Sequence, residues 1–172
     1  MEGTPYTTKE AVLKRAQEII GIPLGQIDTT GRLSQGKGGI GTTIEESWFG
    51  YKVNSESEPD FPEAGVELKV APYVRKAAGI TAKERLICNI IDYMTEYDKT
   101  FETSSFWHKC ETILLMSYEH KYDVPKSVYS IEKAILFSFP TTDLIIIKQD
   151  WEKIITKIRQ GNAHLITEGD TL

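Results

Sequence analysis

The sequence predicts a mixed α/β fold, a β-sheet flanked by helices, and three observations carry that reading. A threonine-capped amphipathic helix opens the chain. Runs with strand periodicity follow between Gly65 and Phe139. A long amphipathic helix then runs from about Thr141 to Gly161. With 172 residues, 40% of them hydrophobic, the chain fits one domain with a real core and leaves no room for a second.

Thr7-Thr8-Lys9-Glu10 has capping-box spacing, Thr7 with Glu10, and Ala11, Val12, Ala16, Ile19 and Ile20 recur at helical spacing up to Gly21. Residues 22–27 read as a short helical turn closing on that helix. The glycine-rich stretch around Lys37 lacks the G-x-x-x-x-G-K-[ST] order, which excludes a nucleotide-binding P-loop. It reads as a flexible lead-in to a helix from about Gly41 to a Gly50 cap, with Ile40, Ile44 and Trp48 as the buried stripe. Glu45 and Glu46 flank that stripe. One of them can lean over a neighbouring site, or both can be solvated.

The stretch from Pro59 to Val70 carries the chemistry. Val66, Leu68 and Val70 alternate with Glu67 and Lys69, the period-2 pattern of a strand with one buried face. Glu67 and Lys69 therefore share a face, their roots about 6–7 Å apart, near enough to share a site without closing into a contact ion pair. Pro59, Pro62 and Gly65 frame a tight turn that can fold Asp60 back beside Glu67. Two carboxylates, helped by the backbone carbonyl of Leu68, are hard oxygen ligands of the kind that hold Mg²⁺. Beside such an ion Lys69 can position water or neutralise charge building on a phosphate. The competing reading is a solvated Glu-Lys pair on an exposed strand, with Asp60 a turn residue only.

Further on, residues 71–83 read as a loop or extended arm carrying Arg75 and Lys76, a basic pair that can touch DNA or simply be solvated. Residues 85–91 read as an interior strand pairing with the Glu67 strand. Thr103 or Ser104 caps a short helix docked by Phe106 and Trp107, which ends at His108 and Lys109. Lys109 suits a phosphate contact, whereas a lone histidine is more often structural. Strands are expected at 113–118 and within 128–139. The last helix is expected to be capped by Thr141, Thr142 or Asp143 and to pack through Ile145, Ile146, Trp151, Ile154, Ile155 and Ile158.

No apolar run reaches the roughly 18–20 residues that span a bilayer, and Met1 to Pro5 lacks a signal-peptide pattern, so the reading is cytoplasmic, with no membrane partner. Cys88 and Cys110, in apolar contexts and without C-x-x-C spacing, read as reduced structural residues. The net charge of −5 argues mildly against nucleic acid but permits a nuclease, whose site gathers carboxylates.

Several segments together resemble one family. Pro59-Asp60, six residues, then Glu67-Leu68-Lys69 is similar to the PD-(D/E)xK nuclease motif, in the form of MutH-type mismatch-repair nicking endonucleases. Lys37-Gly38-Gly39-Ile40-Gly41 through Glu45 resembles that group's K-G-x-[IV]-G-x-x-x-E. Glu102-Thr103-Ser104 with His108-Lys109, and Asp150-Trp151-Glu152, resemble two more of its segments. Residues 101–105 and 147–152 are similar to the catalytic N-terminal part of Sau-three-A-I type restriction endonucleases.

The resemblance implies a restriction-endonuclease-like fold and a type II restriction endonuclease that uses Mg²⁺, or Mn²⁺ in its place, to cut double-stranded DNA at GATC. Asp60, Glu67, Glu45 and the Leu68 carbonyl would hold metal, Lys69 would activate water, and Lys109 would contact the scissile phosphate. Lys37 and His108 would complete the DNA contacts. One residue more separates Glu45 from Gly50 than in the MutH pattern, so an alignment from the right would put Glu46 in the carboxylate role. Base-reading elements are expected beyond Leu172. The 172 residues are accordingly read as a single MutH-like catalytic domain, the N-terminal part of a longer enzyme, with a C-terminal regulatory domain or a second copy as partner. Methyl-directed nicking and a non-catalytic DNA-binding module of the same fold are the alternatives.

Overall fold

A computed structural model describes residues 6–36, 38–52, 58–167 and 169. Four strands form one mixed sheet in the order β2-β1-β3-β4: β1 Glu67–Lys76, β2 Gly79–Ala82, β3 Ile113–Glu119 and β4 Lys133–Phe137. β1 pairs antiparallel with β2 through a local hairpin and parallel with β3, where Glu67 lies opposite Ile113 and Lys69 opposite Leu115. β3 and β4 are antiparallel. The expected mixed sheet flanked by helices is therefore present.

Its strand assignment needs one correction. Residues 85–91 form no strand, and Ile87 and Ile90 are 73% and 82% exposed. β2 pairs only with residues 73–76 of β1, and the run does not join the open edge before them; Ile87 to Ile90 instead line a cleft with Glu67 and Lys69. The arm at 71–83 is the hairpin itself. β1 runs through Pro72 because its first pair with β2 comes one residue later, Tyr73 with Ala82, so the missing N–H interrupts no bond to β2.

Three helices cover one side of the sheet. α1 (Lys9–Glu18) buries Val12 and Ala16, and its cap is Thr8 rather than Thr7: the Thr8 hydroxyl accepts from the Ala11 N–H at 3.1 Å. The short α2 (Leu24–Ile27) closes on it as expected. α3 (Gly39–Thr43) begins two residues earlier than expected, and its first residue must be glycine, since a Cβ at position 39 would stand 2.4 Å from the Arg32 carbonyl oxygen. It continues as a single π-helical segment, Ile44–Phe49, ended by Gly50 at φ +78°. The wider turn shifts the buried stripe. Ile40 and Ile44 are buried as expected, but Phe49 replaces Trp48 as the next core residue. These side chains join Phe61, Val66, Leu68, Leu114 and Met116 in the main core.

After the hairpin come α4 (Tyr93–Glu96), α5 (Ser105–Cys110) and α6 (Thr141–Arg159). Ser104 caps α5 by accepting from the Trp107 N–H at 3.0 Å. Phe101, Ile147, Trp151 and Ile155 form a second core, with Phe106 and Trp107 packed against it. α6 starts after Pro140 without a side-chain cap, since Thr141 to Asp143 already lie in its first turn. Ile145 and Ile146 are 58% and 46% exposed, so the packed stripe is 147, 151, 154, 155 and 158 instead. Among the described residues no helix is long and apolar enough to cross a membrane.

Candidate active site

The turn before β1 builds the centre. Pro62 to Gly65 reverse the chain, with Gly65 at φ +62°, and Phe61 and Val66 form a bridge in which the Phe61 N–H reaches the Val66 carbonyl at 2.9 Å. Phe61 is fully buried against Phe49, Tyr51 and Tyr6, with ring centroids 4.7, 5.3 and 6.1 Å away. That anchor fixes Asp60 beside the start of β1. Asp60 Oδ2 accepts from the Leu68 N–H at 2.9 Å, and the Asp60 N–H points to Glu67 Oε2 at 3.3 Å. The sequence pattern's claim that Asp60 folds back beside Glu67 is thus met by a reciprocal pair of hydrogen bonds.

Two expectations about Glu67 need correction. Lys69 Nζ donates to Glu67 Oε1 at 2.8 Å, so the two do form a contact ion pair, because a flexible lysine stem spans the root separation. Glu67 is also only 3% exposed, although it lies on the charged face of the alternation. α5 covers that face and brings the Lys109 ammonium to 3.9 Å from Glu67 Oε2. Burial and the Asp60 charge push the Glu67 carboxyl up, against the pull of Lys69 and Lys109.

The two glutamates of the π-helical segment have separate fates. Glu46 is held by Arg32 through a two-point contact, Nε to Oε2 at 2.9 Å and Nη2 to Oε1 at 3.0 Å. Arg32 in turn follows a turn organised by Asp28, whose Oδ1 accepts from the N–H groups of Thr30, Gly31 and Arg32. Glu45 is 9% exposed and faces the other carboxylates: burial, then Asp60, Glu67 and Glu46, push it up to about 7. The additional residue before Gly50 falls in the π-helical turns, where each hydrogen-bonded turn holds one residue more than in an α-helix.

The remaining predicted positions divide. Lys37 lies outside the described residues. His108 is exposed on α5 and does not line the cleft of about 520 Å³ that Glu67, Lys69 and Lys109 share. Arg75, read from the sequence as a DNA contact or a solvated side chain, is instead paired with Glu119 and Glu132, each at 3.4 Å. Cys88 does not sit in an apolar interior; it is a half-exposed free thiol on the cleft wall. The neighbouring Cys110 thiol, the largest influence, brings the Cys88 thiol down to about 7, and Cys88 together with burial pushes Cys110 up. Asn89, Asp92, Lys99 and Ser105 also line this cleft, and sequence reasoning missed them. The apolar run 86–91 read as a strand, which hid the wall it forms.

Among the described residues no group of three or more His, Cys, Asp and Glu side chains stands ready-made around one metal position. The donor chemistry nevertheless fits a hard divalent cation. Burial first, and then the neighbouring carboxylate charges, raise Glu45 and Glu67, an excess of anionic oxygen that a cation would relieve, and carboxylate oxygens are the ligands Mg²⁺ takes.

A family model described as DNA mismatch repair enzyme MutH matches residues 49–150. The chain is 41% identical over 169 residues to the type II restriction enzyme Sau3AI of Staphylococcus aureus, covering 96% of this chain and 34% of that enzyme. It is 31% identical over 172 residues to the DNA mismatch repair protein MutH of Shewanella woodyi, covering 95% of this chain and 73% of that protein. A MutH protein of Escherichia coli is 28% identical over 170 residues. The chain thus spans about a third of the restriction enzyme's length and nearly three quarters of the repair proteins'.

Proposed function

The chain belongs to the MutH family, and from that premise we propose that it is the catalytic domain of a Mg²⁺-dependent endonuclease that hydrolyses double-stranded DNA at GATC. The observation that carries the reading is the meeting of Asp60, Glu67, Lys69 and Lys109 at one end of β1, with Glu45 facing the same carboxylates.

In this reading Asp60, Glu67 and Glu45, with the Leu68 carbonyl, hold the metal. A bound divalent cation supplies Lewis-acid stabilisation of the charge that develops on the phosphate. Glu45 carries the one-residue preference over Glu46, which Arg32 already engages. Lys69, donating to Glu67 in the protein as it stands, is the group nearest that carboxylate that can orient an attacking water. Lys109 approaches Glu67 from α5 and neutralises the phosphate from the opposite side. Lys37 and His108 remain proposed contacts to the DNA backbone.

A restriction role is favoured over methyl-directed nicking by the identities: 41% to the restriction enzyme against 31% and 28% to the two MutH proteins. Incubating the protein with a supercoiled plasmid containing GATC and Mg²⁺ decides. Breaks in both strands at GATC support restriction, nicks alone support the repair-type activity, and a plasmid left intact even when the C-terminal part of a related restriction enzyme is supplied overturns both. Glu67→Ala and Lys69→Ala should each abolish cleavage while leaving the far-UV circular dichroism unchanged. Activity retained in either would refute the site.

A further inference from the structure

One buried carboxylate has no part in the chemistry above. Glu96, the last residue of α4, is 1% exposed. Its Oε1 and Oε2 accept from the Ser105 N–H at 3.0 and 3.3 Å, and Oε1 also accepts from the Lys99 ammonium at 3.0 Å. Asn89 steadies the same point by donating to Ser105 Oγ at 2.9 Å. A carboxylate out of water is costly unless charge and hydrogen bonds compensate it, and here both do.

The arrangement has a direction. The Lys99 side chain is 30% exposed whereas that of Glu96 is 1% exposed, so the carboxylate lies behind and the ammonium in front. Lys99 lines the cleft shared by Glu67, Lys69 and Lys109. An ammonium has three donors, and the bond to Glu96 uses one. Meanwhile Ser105 begins α5, a six-residue helix too short to hold itself, whose fifth residue is Lys109. The Glu96 carboxylate therefore touches two of the cleft's cation carriers at once: Lys99 directly, and Lys109 through the helix start.

We propose that Lys99 is a DNA-phosphate contact in this cleft and that Glu96 is the positioning residue that holds it there while fixing the start of α5. The proposal rests on the nuclease reading. It adds a third ammonium group to Lys69 and Lys109 in one cleft, which suits a ligand with several phosphates, a nucleic-acid strand.

The test is fluorescence anisotropy with a short labelled duplex containing GATC, in EDTA, across a series of salt concentrations. Removing one cation–phosphate interaction should flatten the plot of log affinity against log salt by about 0.9. Lys99→Gln should show that flattening and Lys99→Arg should keep the wild-type slope. Glu96→Gln/Lys99→Gln should flatten the plot by the same amount as Lys99→Gln. That double variant leaves no unpaired buried charge, and its amide oxygen still accepts from Ser105, so it decides the matter if Lys99→Gln alone fails to fold. Glu96→Gln should weaken affinity when Lys99 is present and add nothing when residue 99 is glutamine, because a positioning residue acts through its partner. Unchanged slopes in folded variants, or a Glu96→Gln effect equal in both backgrounds, overturn the proposal while leaving the nuclease reading intact. A wild-type protein that shows no salt-dependent duplex binding overturns both.

Discussion

Replacing Glu45 by glutamine should stabilise the metal-free protein at pH 8 and leave its stability unchanged at low pH. Burial and the charges of Asp60 and Glu67 lift the Glu45 carboxyl from its ordinary 4.5 to about 7. A raised folded value means that the native state holds the proton more tightly. The associated stability is complete below the unfolded value and is lost as pH rises through 7. At 1.36 kcal/mol per unit the shift corresponds to about 3 kcal/mol at most, and relaxation of the surrounding charges, expressed as an effective dielectric of about 20, reduces it to about 1–2 kcal/mol. Urea unfolding in EDTA, followed by tryptophan fluorescence between pH 4 and 8, measures it. The Glu45→Gln midpoint should match wild type at pH 4 and exceed it by about 0.5–1 M at pH 8, for a denaturant slope of about 2 kcal/mol per M.

Glu46→Gln should move the other way. The hydrogen bond from Arg32, with its charge, holds Glu46 below its usual range, so that stability is present above the ordinary carboxylate value and is lost as pH falls. Loss of the pair should lower the midpoint at pH 8 and matter less in acid. A pH-independent difference for Glu45→Gln, or the same sign for both variants, would refute the assignment of the two glutamates to different environments. Added Mg²⁺ should reverse the Glu45 ranking, because a ligand that binds only the native state stabilises it by mass action.

Two further outcomes probe the same centre. Asp60→Ala should remove the heat of Mg²⁺ binding in isothermal titration calorimetry, and undiminished binding would assign the metal to other ligands. Phe61→Ala removes a fully buried ring from the aromatic cluster beneath the Asp60 turn, so thermal unfolding should report a loss of about 3–5 kcal/mol. DNA cleavage should fall with it, since Asp60 then loses its anchor; full activity at a temperature where the variant is folded would show that the turn holds itself.

α1, α2, α5 and α6, the β1 turn and β3 were legible because each is specified locally, whereas the four-residue α4 was not. Periodicity gave α1 and α6, and Gly65 together with two prolines gave the reversal that returns Asp60 to Leu68. Ser104 and Gly50 cap as expected, but the cap of α1 was off by one residue, at Thr8, and that of α6 is absent, because several threonines near a helix start offer equivalent local chemistry. The run at 86–91 was misread for a different reason. Its composition is that of a strand, but whether an apolar run pairs or lines a cleft wall depends on what packs beside it, a property of the whole fold.

By itself, then, the sequence determined which groups could do chemistry: a carboxylate after a proline, and a carboxylate and an ammonium two residues apart on one strand face. The tertiary structure decided how those groups are partnered. It closed Lys69 onto Glu67, covered that pair with α5 and Lys109, and turned Glu45 toward Asp60 while Arg32 drew Glu46 away. It also brought Lys99 to the same cleft, with Glu96 buried behind it, from a segment with no motif of its own. Backbone periodicity sets where a side chain leaves the chain, but burial, pairing and charge come from residues far apart in sequence, and only packing brings those together.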